Sequence, residues 1–149
     1  MKRSRRIGQI RDLAQRREDE LLRTAARLRA ALREEEARLA QLQRYRSEYD
    51  AQFHELGRRG LQAAMATDFL DFMARLDAAI RAQSGRVQAA RAAHAAALEH
   101  WRTGHRRTAS LDKLADRVRR EELQLQEHRA QSESDEAAAG RVRLRDELP

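Results

Sequence analysis

The chain has 149 residues with one Pro, six Gly and no Cys, and its 31 Lys+Arg exceed its 24 Asp+Glu to give a formal net charge of +7. With 37% charged and 4% aromatic residues, the composition is that of long helices and speaks against a sandwich, barrel or doubly wound sheet. The lack of Cys removes a disulfide framework, a thiolate nucleophile and any Cys-based zinc site, leaving a reducing cytoplasm as the default. No apolar run approaches the ~20 residues that cross a bilayer, and the basic Met1-Lys2-Arg3-Ser4-Arg5-Arg6 start leads into Ile7-Gly8-Gln9-Ile10, so neither a signal peptide nor a membrane span is expected.

The only Pro is residue 149, so glycines alone mark possible breaks in a helical pattern. The spacing predicts helix one over about 4–56. Gly57-Arg58-Arg59-Gly60 then opens a connection over 57–67, in which Leu61-Gln62-Ala63-Ala64-Met65 can form a short helical turn and Thr67-Asp68 supplies N-cap chemistry. Helix two is predicted over about 68–139, with Gly8, Gly85 and Gly104 inside helices and a C-terminal tail over 140–149.

Both helices carry heptads, the signature of a two-helix seam. Helix one places Ile7, Ala14, Leu21, Leu28, Glu35, Leu42, Tyr49 and Leu56 in one set, and Arg11, Glu18, Ala25, Leu32, Leu39, Arg46 and Phe53 in the other. Helix two places Phe69, Leu76, Gln83, Ala90, Ala97, Gly104, Leu111, Val118 and Leu125 in one set, and Met73, Ile80, Val87, His94, Trp101, Thr108, Ala115 and Glu122 in the other. The expected fold is therefore all-α: a single antiparallel two-helix coiled-coil hairpin, a rod ~80 Å long, with a short helical turn near the connection.

Two registers compete. Where facing positions add to 129, Arg46 meets Gln83, Glu35 meets His94, Leu28 meets Trp101 and Ala25 meets Gly104; where they add to 122, polar seam residues meet apolar ones. Because a buried polar group without a partner costs about 1–3 kcal/mol, the 129 register is expected. Helix two outruns helix one near Glu122, leaving an overhang whose order depends on a partner. The Ala- and Gly-rich layers at Ala90, Ala97 and Gly104 predict modest stability for the chain alone.

Chemistry-bearing constellations are sparse. His54, His94, His100, His105 and His128 contain no i,i+4 pair, so no shared metal is expected, and His94 is read as a polar seam residue beside Glu35. Glu34-Glu35-Glu36 point in different directions and form a solvated face rather than a catalytic pair. With no phosphate-cradling loop or nucleophile motif, neither an enzyme nor a cofactor is expected. The basic segments Lys2-Arg3-Ser4-Arg5-Arg6, Arg58-Arg59 and Arg102-Thr103-Gly104-His105-Arg106-Arg107 leave a nucleic-acid or membrane-surface coiled coil as an alternative. Against it, acidic residues are interleaved through both helices and Trp101 lies on the seam.

Ile10-Arg11-Asp12-Leu13-Ala14, Leu42-Gln43-Arg44-Tyr45-Arg46-Ser47-Glu48-Tyr49 and Phe69-Leu70-Asp71-Phe72-Met73-Ala74-Arg75-Leu76-Asp77-Ala78-Ala79-Ile80 resemble the flagellar export protein FliJ family over nearly the whole chain. The counterpart stalk of virulence-type secretion systems is the alternative within the same class. The resemblance implies a cytoplasmic stalk, peripheral to the inner membrane at the flagellar base, that promotes assembly and activity of a hexameric export ATPase, couples it to the membrane export gate and escorts export chaperones. It carries the gate-binding patch over to Leu42, Tyr45, Tyr49, Phe72, Leu76 and Ala79. Beside that patch Arg38 and Gln83 stand where a member of the resembled family has Gln and His, so the resemblance leaves the edges of the patch open. For the ATPase ring, contacts that can be remade as subunits change state favour charge. Arg5, Arg6, Arg11, Arg16, Arg17, Arg117, Arg119 and Arg120 are the candidates at the joined-termini end, and chaperone contact falls to the end of helix two and the C-terminal segment.

Overall fold

The computed structural model describes residues 2–148, so Met1 of the basic start and Pro149 of the expected tail lie outside it. Helix α1 spans Lys2–Arg58 and helix α2 spans Ala63–Glu147, with no strand among the described residues. The expected all-α, two-helix class is what the chain adopts. Uninterrupted Ala, Leu, Glu, Arg and Gln supply high helix propensity, so single glycines at 8, 57, 85, 104 and 140 are absorbed at about 1 kcal/mol each.

The connection is shorter than expected: residues 59–62, not 57–67. Helix α1 continues past Leu56 and its last turn tightens through Arg59 N–H to Leu56 C=O (3.2 Å) and Gly60 N–H to Gly57 C=O (3.3 Å). Gly60 then takes φ +91°, where a side chain is strained, and makes the break that Gly57 does not. Helix α2 starts five residues before the expected position 68, with Ala66 N–H bonded to Gln62 C=O at 3.0 Å. Thr67 does not cap it; its hydroxyl donates to Ala63 C=O (3.0 Å) inside the second turn. At the other end α2 runs through Gly140 to Glu147 rather than stopping at 139, because Gly140 keeps a helical φ and one glycine costs too little to end a helix of good formers.

The residues cluster into two compact units. One, over 19–102, holds the connection. There α1 and α2 pack antiparallel around Ala25, Met73, Leu76, Val87 and Ala97, with Gln83 buried among them. Next to the connection Phe69 touches both Phe53 (ring centroids 5.8 Å apart) and Tyr49 (6.3 Å), and Tyr49 lies 4.5 Å from Phe72. Four of the six aromatic residues thus form one cluster beside the turn.

The other unit joins 2–18 to 103–148. It buries only Thr108, Ala115, Val118 and Glu18, and much of what ties its helices together is polar. Ser4 N–H donates to Glu122 Oε1 (3.1 Å), Arg11 Nε to Asp112 Oδ1 (2.5 Å), and Glu18 Oε1 meets His105 Nδ1 at 2.6 Å. Beyond Glu122 every described side chain from Leu123 to Leu148 is exposed.

The register differs from the one expected. Within the first unit Arg46 pairs with Asp77, and Tyr49 packs tilted against Phe72 and Phe53 against Phe69; within the second Arg11 pairs with Asp112 and Glu18 with His105. The position numbers of these pairs add to between 121 and 123, not 129. The short connection dictates this, since the helix ends it joins, Arg58 and Ala63, themselves add to 121. The cost of unpaired polar seam residues is avoided by reaching sideways. Gln83 Nε2 donates to Glu35 Oε2 (2.5 Å) and to the Glu35 C=O (3.0 Å), and Arg46 spans Asp77 (3.0 Å) and Asp50 (3.4 Å). Glu35 therefore meets Gln83 rather than His94.

Two glycines respond oppositely to the same change. Gly60→Ala should destabilise the protein by about 1–2 kcal/mol, because an alanine at φ +91° is strained. Gly85→Ala, mid-helix with no atom within 4 Å of where its Cβ would sit, should stabilise it by about 1 kcal/mol. Urea unfolding checks both, and equal signs would contradict the assignment of the break to Gly60.

In the terminal unit the hydrogen bonds from Ser4 hold the Glu122 carboxyl down to about 2, well below its ordinary value. A depressed carboxylate pKa stabilises the fold above the unfolded value, about 4.3, and that contribution is lost as pH falls towards 2. Hydrogen exchange at the Ser4 amide should therefore accelerate through this window, beyond the change in intrinsic exchange. Glu122→Gln should flatten that response, and an identical profile in the variant would contradict it.

Candidate interaction surfaces

Leu42, Tyr45 and Tyr49 are three and four residues apart and form one stripe along α1, as Phe72, Leu76 and Ala79 do along α2. The register sets these stripes side by side: Leu42 with Ala79, Tyr45 with Leu76 and Tyr49 with Phe72 each add to 121, and the last pair is in ring contact. The six residues differ in what they offer a partner. Tyr45 is 45% exposed and Phe72 40%, Ala79 is exposed, Leu42 and Tyr49 are half-buried, and Leu76, 7% exposed, belongs to the core. Gln41 Nε2 donates to the Tyr45 hydroxyl (3.2 Å), steadying a ring that has no hydrophobic enclosure.

Arg38 and Gln83, at the edge of the patch, are also opposite one another, and both bond to Glu35: Arg38 Nη1 to Oε1 at 3.4 Å, Gln83 Nε2 to Oε2. They close the edge of the patch around one carboxylate. Sequence reasoning misses the role of Phe69 and Phe53, which back the Tyr49–Phe72 pair from the turn side. A signal for it exists, since both are aromatic seam residues in a chain with few aromatics.

The eight candidate arginines all fall in the unit formed by 2–18 and 103–148, and they separate by partner. Arg11 is committed to Asp112 across the helices and to Asp12 (3.4 Å), and the hydrogen bond to Asp112 raises its pKa further. Arg119 pairs with Asp116 (2.9 Å) and Arg120 Nε donates to the Asp116 C=O (3.4 Å). Arg5, Arg6, Arg16 and Arg117 are exposed on the same unit. Arg17 is exposed beside an apolar groove.

Among the described residues no group of three or more His, Cys, Asp and Glu side chains could hold a metal ion, and no helix is long and apolar enough to cross a membrane. His105 lies against Glu18 (2.6 Å) and His54 lies 3.8 Å from Asp50, whereas the Glu35 carboxylate meets Arg38 and Gln83 rather than His94. In the basic segment 102–107, Arg102 pairs with Glu99 (2.5 Å) and Arg106 donates to Thr103 (3.4 Å).

A family model described as the flagellar FliJ protein matches residues 2–147. No curated protein matches the chain, and no solved structure does. The match covers both helices, the connection and every candidate site residue, and it agrees with the helical hairpin reached from the sequence: the chain belongs to the FliJ family of flagellar proteins.

Proposed function

We propose that the protein is a component of the flagellar type III export apparatus, without catalytic activity of its own, that promotes assembly and activity of the hexameric export ATPase and couples it to the cytoplasmic domain of the membrane export gate. It acts in the cytoplasm, peripheral to the inner membrane at the flagellar base. The alignment of the Leu42–Tyr45–Tyr49 and Phe72–Leu76–Ala79 stripes, with Tyr45 and Phe72 exposed, carries the gate assignment. Exposed aromatic rings on a well-ordered helical face supply large contact area at small entropic cost, the usual chemistry of an interface hot spot.

The arginines of the terminal unit are the proposed contacts to the ATPase ring. All eight are on this unit's surface or its seam, and Arg11, Arg119 and Arg120 are held by Asp112, Asp12 and Asp116, while Arg5, Arg6, Arg16 and Arg117 supply exposed charge. Exposed charges can be exchanged between subunits without a deep desolvation cost. The α2 segment beyond Glu122, exposed throughout, is the proposed surface for export chaperones.

The gate assignment predicts a separation of effects. Tyr45→Ala with Phe72→Ala should weaken binding to the gate domain about tenfold or more while leaving helicity unchanged. Leu76→Ala, in the core, should instead cost about 2–3 kcal/mol of stability. Gate affinity untouched by the aromatic pair would remove the patch. For the ATPase, adding the protein to its cognate export ATPase should promote ring formation and raise ATP hydrolysis. Replacing Arg5, Arg6, Arg16 and Arg117 together by Gln should reduce that stimulation without lowering the melting temperature, and full stimulation by the variant would remove the arginine assignment.

A further inference from the structure

The two edges of the helix–helix seam in the terminal unit differ in chemistry. One edge is lined by Gln15, Glu18, His105, Thr108, Ala109 and Asp112 and is occupied by the Arg11–Asp112 ion pair and the Glu18–His105 contact already described. The other is a groove of about 270 Å³ lined by Ile10, Leu13 and Ala14 of α1 and Gly104 of α2, with Arg17 and Arg107 at its rims and no acidic side chain in the lining. Ile10 and Leu13 are 47% and 63% exposed and, unlike the exposed leucines of the α2 segment beyond Glu122, line a groove between the two helices. Gly104 lines the groove with backbone alone, contributing no side chain to its floor.

We propose that this groove is a docking site for an acidic amphipathic helix of a partner protein. Aliphatic side chains of that helix would cover Ile10, Leu13 and Gly104, and its carboxylates would meet Arg17 and Arg107. A groove between two antiparallel helices accepts a third by ridge-into-groove packing, and its apolar floor selects side chains at i, i+3, i+4 and i+7. The rim selects the sign of charge. Both flanking residues are guanidinium groups that form bidentate bonds with carboxylates, and the lining offers no carboxylate to a basic ligand. A nucleic acid would satisfy the arginines but leave the aliphatic floor without a match. The inference stands on the geometry of this unit; of the arginines proposed above for the ATPase ring it uses only Arg17.

A synthetic helical peptide with leucines at i, i+3, i+4 and i+7 and glutamates on the flanks, titrated into the full-length protein, tests the proposal. It should bind saturably, with chemical-shift changes centred on the Gly104 amide and the Leu13 methyl groups. Leu13→Ser, at an exposed position that leaves the fold intact, should weaken binding about tenfold or more, and Gly104→Leu should do the same by filling the floor. Arg17→Gln with Arg107→Gln should weaken it and reduce its salt dependence. Any of four results would overturn the proposal: no saturable binding, shifts centred elsewhere, equal binding of a peptide with lysine in place of glutamate, or displacement of the peptide by single-stranded DNA or anionic vesicles. The ATPase reading has its own readout, because the Leu13→Ser protein can lose the peptide and still stimulate hydrolysis.

Discussion

The four-residue connection governs the molecule. With α1 ending at Arg58, α2 beginning at Ala63 and Gly60 turning the chain at φ +91°, there is no slack for the helices to slide. A coiled-coil seam by itself is nearly indifferent to a shift of one heptad, because the same two faces stay in contact. The turn removes that freedom. Positions adding to about 121 are then opposite one another near the turn, and this juxtaposes Tyr49 with Phe72, lets Gln83 reach Glu35 and lets Arg46 reach Asp77.

Each unit is held by a different chemistry. The unit containing the connection combines aliphatic residues with the Tyr49, Phe53, Phe69 and Phe72 cluster, whose contact area is large for so few residues. The terminal unit has small buried side chains and ties its helices through Ser4–Glu122, Arg11–Asp112 and Glu18–His105. Partly exposed polar contacts of this kind contribute modestly, and the Arg11–Asp112 ion pair among them is screened by salt. They also fix which way the polar groups point, leaving Ile10 and Leu13 on the opposite edge of the seam.

Much of the fold is legible in the sequence, for identifiable reasons. Proline confined to position 149 and heptads through both halves determine two long helices. The register is not legible, because matching polar to polar assumes that facing residues must satisfy one another. Arg46 reaches Asp77 beside the position it faces, and Gln83 reaches Glu35 about one helical turn from the position it faces, and that reach defeats the argument. Gly57 and Gly60 look alike as letters, yet only Gly60 leaves the helix, and Gly140 does not end α2. The patch residues follow from family resemblance, but their assembly into one face depends on the register: with sums of 129, Tyr49 would face Ile80 instead of Phe72. The groove beside Gly104 is hidden for the same cause, since sums of 129 put Gly104 opposite Ala25 as a small seam residue.

The register is most directly tested by cysteine trapping in a chain that has no cysteine of its own. Leu42→Cys combined with Ile80→Cys should form an intramolecular disulfide readily under mild oxidation, whereas Leu42→Cys combined with Val87→Cys should not, the two positions lying about a heptad further apart along the seam. Efficient trapping of the 42–87 pair and none of the 42–80 pair would contradict the account.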